Sequence, residues 1–249
     1  EILNISPEIA NICNIVRIEK PFMKWSENMS YKDWKVLADL TANLLNDENI
    51  SGVIITHGTD FLHYTSSALS FMLGKLNKPV ALTYSQRSID RGSTDAHLNL
   101  ICAAKYAVSD IAEVSIVGHK DLEDIYCLAM PGTKVRKLHT SRRDAFKIVN
   151  SEPFAEISKR EFNILRTFNA RDNSKKIVPD LKFESRLAII QVTPGQDPNI
   201  LDWYVQMGYK GIILELSGLG HVPAQDAEHN WLPTIKRLTE KGITICGAP

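Results

Sequence analysis

Apolar positions recur along this chain in two alternating rhythms. Trp34, Leu37, Ala38, Thr41, Leu44 and Leu45 repeat at helical spacing, which predicts a helix laying one stripe on a sheet. Ser30 with Asp33 three residues later has the form of a capping box at its start. Gly52–Thr56 is short, β-rich and apolar on both faces, so it reads as a buried strand. A helical stretch from about Phe61 to Leu73, a strand at Pro79–Thr83, a helix at Asp95–Ala107 and a strand at Val114–Val117 follow. That β-α-β-α-β order predicts a parallel sheet with helices on its faces.

The stretch 169–186 is polar and charged, holds Pro179 and has no sustained period, so we expect a linker there. It would separate an N-terminal α/β domain (1–168) from a smaller C-terminal α/β domain (187–249). In the latter we expect strands at Leu187–Val192, Gly211–Leu214 and Ile243–Ile245. Helices at Ile200–Met207 and Leu232–Lys241 would each be stopped by a glycine, Gly208 and Gly242.

Composition narrows the function classes. The 249 residues carry 29 Lys+Arg against 29 Asp+Glu, and 44% of them are hydrophobic. Zero formal net charge removes any whole-chain electrostatic case for nucleic acid or acidic lipid, though a local basic patch fits within that balance. The longest apolar runs fall far short of the ~20 residues that span a bilayer, so no membrane role is expected. Cys13, Cys102, Cys127 and Cys246 are widely spaced, with no Cys-x-x-Cys and no His at metal-ligand spacing. Reduced thiols in a cytoplasmic protein, with no metal, are the expectation. Asn4, Asn28 and Asn49 stand in N-x-S triplets that matter only in a secreted protein, and nothing here reads as a signal peptide. The start at Glu1 and the stop at Pro249, directly after an apolar run, suggest a piece of a longer polypeptide.

Three segments could carry chemistry. His57-Gly58-Thr59-Asp60 follows the first strand, where ligands of open parallel sheets bind. It offers a tight turn, a hydroxyl and a carboxylate, but a Thr-Asp pair also serves simply as a helix cap. Tyr84-Ser85-Gln86-Arg87-Ser88 through Asp95 follows the second strand and reads equally well as a solvated loop with Asp95 capping the next helix. Between Lys134 and Lys147 six residues are Lys or Arg and one is acidic. Such a run is usually a solvated face, yet a lysine beside a hydroxyl can shuttle its proton.

Taken together and in order, these segments resemble the L-asparaginase/glutaminase family. Val53–Asp60 is similar to that family's second active-site signature, and Ser26-Glu27-Asn28-Met29 to its substrate-binding segment. Lys137 lies where its catalytic lysine is expected. One branch is closer still, the D subunits of archaeal-type glutamyl-tRNA(Gln) amidotransferases. That likeness rests on Asp60–Leu73, Gln86–Arg91, Asn99–Ala103, Tyr126-Cys127, Gly132–Phe146 with its His-Thr-Ser-Arg-Arg-Asp core, and Ser217–Val222.

The resemblance implies a two-domain α/β amidohydrolase with a larger N-terminal parallel-sheet domain, working as a homodimer. It implies release of ammonia from glutamine, which a partner protein, the amidotransferase's E subunit, would use with ATP and Mg to convert Glu-tRNA(Gln) into Gln-tRNA(Gln). The present chain itself would need no cofactor. Thr59 would be the second catalytic threonine, Asp60 would orient substrate and join a relay, and Lys137 would help deprotonate a hydroxyl or water. Ser26, Glu27 and Ser85 would bind substrate. Arg136, Arg142 and Arg143 could touch tRNA or another protein of the complex, or merely solvate a loop.

Two departures matter. The family's first catalytic threonine, in a Gly-Gly-Thr-Ile-like turn, has no counterpart in the 249 residues, so these residues alone are expected to be inactive. The family's extra N-terminal β-barrel would also lie upstream. Tyr84-Ser85 stands where the branch usually has Gly-Ala, and a bulkier Tyr is expected to reshape the pocket. A stand-alone L-asparaginase and a non-catalytic scaffold of the same fold are the competing readings.

Overall fold

A computed structural model describes residues 6–249; Asn4 of the first N-x-S triplet lies outside them. The chain forms two compact units, Glu1–Lys182 and Phe183–Pro249.

The first unit is built on a six-stranded sheet in the order β1-β2-β3-β4-β7-β8. Its strands are β1 (Val53–Thr56), β2 (Val80–Thr83), β3 (Val114–His119), β4 (Tyr126–Pro131), β7 (Ala155–Ser158) and β8 (Phe162–Ile164). A separate hairpin pairs β5 (Val135–Lys137) with β6 (Phe146–Ile148). Helix α1 (Tyr31–Leu45) precedes β1, and α2 (Leu62–Leu73) and α3 (Ala96–Ala107) connect β1 to β2 and β2 to β3.

The alternation within β2 explains the layering. Val80 and Leu82 face one core with Leu37 and Leu45 of α1 and Leu62 and Leu69 of α2. Ala81 faces the opposite core, with Leu98, Cys102 and Tyr106 of α3. All four residues of β2 are therefore buried, as expected for a parallel strand covered on both sides. Leu45 is fully buried, and truncating such a leucine to Ala costs about 3 kcal/mol. The capping box is present: the Asp33 carboxylate accepts the Ser30 N–H at 2.8 Å and also takes Lys24.

Three sequence expectations change. The sheet is mixed rather than parallel. Strands β1–β3 are parallel, whereas β4, β7 and β8 add antiparallel. These later strands follow one another with no helix between them, so the β-α-β rhythm that marks β1–β3 does not reveal them.

Second, residues 169–182 are not a free linker. Asn169 bonds Glu113, Arg171 donates to the Ser51 and Ser109 carbonyls, and the Asp180 N–H donates to Met72. Asn46 and Ile177 exchange two bonds of 2.8 Å, and the Ile177 side chain is buried. Polar residues here satisfy backbone groups of the first unit, which a hydropathy pattern cannot distinguish from a solvated tether.

Third, Asp95 does not cap α3. Its buried carboxylate instead accepts the backbone N–H groups of Gln86 and Arg87 at 2.9–3.1 Å.

The second unit holds a parallel sheet ordered β11-β10-β9, with β9 (Leu187–Gln191), β10 (Gly211–Glu215) and β11 (Thr244–Ala248). Helices α4 (Ile200–Gln206) and α5 (Leu232–Glu240) intervene. Its core gathers Ile190, Leu201, Ile212, Leu214, Leu238 and the fully buried Trp231. Arg237 of α5 grips Asp202 of α4 through two bonds of 2.6 and 2.7 Å.

Candidate active site

The tetrapeptide His57–Asp60 fills the turn between the carboxyl end of β1 and the start of α2. The His57 N–H extends the strand pairing by donating to Thr83 at 3.0 Å. Ser26 forms a short 3₁₀ turn with Glu27 and Asn28 and is itself buried. Its hydroxyl lies against Gly58, where a β-carbon would come within 3.2 Å of it. It also receives the Phe61 N–H at 3.4 Å and donates to Glu27 at 3.2 Å. No side chain caps α2, so Thr59 and Asp60 are not there as a helix cap.

Lys137 arrives from the β5–β6 hairpin. In that ladder it stands opposite Phe146, while Arg136 faces Lys147. Val135 and Phe146 bury the hairpin's apolar side. The carbonyl of Gly132, just before β5, is held by the hydroxyls of Ser66 and Ser67 on α2 at 2.8 and 3.1 Å. So anchored, Lys137 places Nζ 2.8 Å from Thr59 Oγ1 and 2.6 Å from Asp60 Oδ1. The lysine side chain is 9% exposed and that of Asp60 is 61% exposed. The cation is thus largely withdrawn from water while one carboxylate oxygen offsets its charge.

Residues 59, 60 and 137, from two distant segments, therefore meet, and Ser26 with Glu27 borders them at Gly58. No hydrogen bond among the described residues joins the Ser85 side chain to this group. Ser85 is half-buried beyond the end of β2 and makes no side-chain hydrogen bond among the described residues. Its neighbour Tyr84, the bulky residue expected to reshape the pocket, packs inward. The ring is buried against Phe146 at 4.5 Å between centroids, and its hydroxyl donates to the Arg143 carbonyl at 3.0 Å.

The basic run divides. Arg142 is held by both carboxylate oxygens of Asp144, which Lys147 also reaches. These partners pull the Asp144 carboxyl down to about 2. Arg143 pairs with Asp124 at 2.7 Å and donates to the Ser93 and Leu122 carbonyls. Both guanidinium groups therefore have in-chain work, fastening the loop between β5 and β6. Arg136 is exposed on the hairpin edge.

Two histidines escape a reading of the sequence. His57 sits between Thr65 and the Gly58 carbonyl. His63, the second residue of α2, has a buried Nδ1 without a hydrogen-bond partner. Burial, and then the positive charges of Arg136 and Lys137, hold its pKa down to about 4. Both lie within the segments that carry the resemblance, but nothing in the sequence gives either histidine a role. Among the described residues no cluster of His, Cys, Asp or Glu is suited to a metal ion, and no helix is long and apolar enough to cross a membrane.

Comparison with known proteins fits this geometry. Residues 1–169 match the model for "Asparaginase, N-terminal" and residues 186–248 that for "Glutaminase/Asparaginase C-terminal domain". The D subunit of glutamyl-tRNA(Gln) amidotransferase from Pyrococcus furiosus is 46% identical over 250 residues, covering 99% of this chain and 55% of that protein. Its counterpart from Methanosarcina barkeri is 42% identical over 250 residues, covering 98% of this chain and 56% of that protein. The chain thus spans about half the length of these curated relatives. Among solved structures, the thermostable L-asparaginase from Thermococcus kodakarensis superposes with a TM-score of 0.79 at 25% identity, covering 99% of this chain and 70% of that one. L-asparaginase I from Vibrio cholerae gives 0.75 at 27% identity, over 90% and 64% of the two chains. With both domain models matched in order, and with a hydroxyl, a carboxylate and an amine joined at the end of β1, the chain belongs to the asparaginase/glutaminase family.

Proposed function

We propose that this chain forms the glutamine-hydrolysing core of a tRNA-dependent amidotransferase. It would release ammonia that a partner protein, the E subunit of such a complex, uses with ATP and Mg to convert Glu-tRNA(Gln) into Gln-tRNA(Gln) in the cytoplasm. Two copies of the chain would make the working dimer. The single observation that carries the amidase part is the Lys137–Thr59–Asp60 contact. The amidotransferase part rests on the 42–46% identity to the archaeal D subunits.

Splitting a side-chain amide requires a nucleophile, a base within hydrogen-bond reach and a route for the proton. A hydroxyl is a poor nucleophile until a base takes its proton. Lys137, as the neutral amine, would accept that proton from Thr59 or from a water. Asp60, already bonded to the same Nζ, would stabilise the ammonium so formed. The new C–O bond replaces the C–N bond of the amide, and the lysine's proton passes to the departing nitrogen as ammonia; where Thr59 is the attacker, a water then splits the ester so formed, releasing the acid and restoring the hydroxyl. Ser26 and Glu27, bordering Gly58, would receive the amino-acid end of the substrate. The family's other threonine would come from a turn outside these 249 residues.

The test is glutamine-dependent ammonia release by the protein that carries this sequence. Lys137→Ala and Thr59→Ala are expected to abolish it while the circular-dichroism spectrum is preserved. Near-wild-type release in either variant would refute the assignment. The L-asparaginase reading draws on the solved structural relatives; asparagine turnover without tRNA or partner, outpacing that of glutamine, would select it instead.

A further inference from the structure

The hydrogen bonds around His57 run in one direction only. The Trp34 indole Nε1–H, which can only donate, reaches Thr65 Oγ1 at 3.0 Å. Thr65, 1% exposed, lies 2.9 Å from His57 Nε2. On the other side His57 Nδ1 lies 2.6 Å from the Gly58 carbonyl, which can only accept. The proton of the imidazole must therefore sit on Nδ1. Nε2 then accepts the Thr65 hydroxyl, whose oxygen in turn accepts from Trp34. Burial, which lowers the His57 pKa, agrees with a neutral ring.

We infer that His57 is a positioning residue, set in the Nδ1–H form by the Gly58 carbonyl and held in place at Nε2 by the Thr65 hydroxyl, so that it pins that carbonyl and with it the Thr59 hydroxyl on Lys137. The Gly58–Thr59 peptide is planar, so fixing its carbonyl fixes the direction in which the Thr59 backbone departs. Ser26 presses on the same glycine from another side. The turn is thus clamped from α1 through Trp34, from α2 through Thr65, and from the 3₁₀ turn through Ser26. His57 itself reaches neither Thr59 Oγ1 nor Lys137 through any hydrogen bond of its side chain among the described residues. Its effect passes through the backbone. This role deepens the amidase reading and relies on it for its kinetic arm only.

The experiment has two arms. Nitrogen-15 NMR of the histidine-labelled protein, with the His57→Asn variant for assignment, reads the tautomer at neutral pH. A pyrrole-type Nδ1 and a pyridine-type Nε2 are expected, the reverse of the form free histidine prefers. Thr65→Val, which removes the donor to Nε2 and frees the ring to turn, should shift the Nε2 resonance and the Lys137 side-chain nitrogen, whereas Thr65→Ser should restore both. In the kinetic arm, Thr65→Val should lower kcat for glutamine by ~10–100-fold, as sub-ångström misplacement of a reacting group does, with KM little changed and Thr65→Ser rescuing it. An Nε2–H ring or an imidazolium in the wild type overturns the inference. So does a Thr65→Val variant that keeps the Nε2 resonance, the Lys137 resonance and kcat. If the wild type releases no ammonia from glutamine, the amidase reading fails, and the NMR arm still decides the fate of the clamp.

Discussion

The ring of Tyr84 stands in the space a side chain at Gly118 would need: a β-carbon at residue 118 would come 2.3 Å from Tyr84 Cε1 and 2.5 Å from its hydroxyl oxygen. The two residues leave neighbouring strands, β2 and β3, so a bulky residue after β2 is accommodated by the absence of one on β3. Gly118→Ala is expected to destabilise the protein by about 1–3 kcal/mol through overpacking. Tyr84→Phe should cost about 1 kcal/mol, the net worth of the bond to the Arg143 carbonyl. Denaturant titrations of the two variants check both, and an unaffected midpoint in Gly118→Ala would mean that the ring has room to retreat.

Within the proposed relay, effects should not add. Thr59→Ala and Lys137→Ala should each lower glutamine kcat/KM by at least ~10²-fold, and the double variant should be no worse than the poorer single one. Additive losses would show that the 2.8 Å contact is not a functional unit.

The Asp95 carboxylate ties down the start of the loop after β2. Asp95→Ala strips the Gln86 and Arg87 N–H groups of their acceptor inside a buried site, at a cost of about 2–3 kcal/mol. Hydrogen exchange should accelerate at those two amides specifically. Unchanged protection there would show that water replaces the carboxylate without loss.

His63 sets a pH dependence whose sign follows from its lowered pKa. Between its ordinary value of 6.5 and about 4, the unfolded chain takes up a proton that the folded chain refuses. Stability should therefore fall on acidification through that window, with His57 adding in the same direction. His63→Gln should flatten the profile between those limits while leaving the slope below pH 4 intact. A profile identical to wild type would place the titration elsewhere.

The loop between β5 and β6 is fastened by Arg143 through Asp124 and two carbonyls. Arg142→Ala/Arg143→Ala should lower Tm by a few degrees, as a loss of about 1 kcal/mol does in a domain of this size. The salt slope of tRNA affinity measures whether either arginine also neutralises a phosphate. On the pairing seen here the slope should not change, and a slope reduced by about one or two units would reverse that assignment.

Periodicity makes α1, α2 and α3 legible because each spans several turns, and strands β1–β3 because each is a short apolar, β-rich run set between helices. Strands β5 and β6 are not legible. Each has three residues, and what defines them is their pairing and the hold of Ser66 and Ser67 on Gly132, relations across 66 and 65 residues. Thr59, Asp60 and Lys137 can be named from a resemblance, but their meeting depends on that hairpin. The Trp34–Thr65–His57 chain leaves no trace in the pattern, since Trp34 and Thr65 both read as ordinary members of helical stripes. Residues 169–182 read as a linker because a polar segment that satisfies buried backbone groups has the same composition as one that meets only water.

The grip of Ser66 and Ser67 on Gly132 bears on any attempt to transplant parts among relatives. The helix that opens just after Asp60 is also the one that holds the strand delivering Lys137, so a single rigid rod gauges the spacing between the amine and its hydroxyl. A chimaera that exchanged residues 132–148 alone would bring a foreign hairpin to a host helix whose hydroxyls need not match it. Carrying 59–73 together with 132–148 would move the gauge and both of its ends as one cassette.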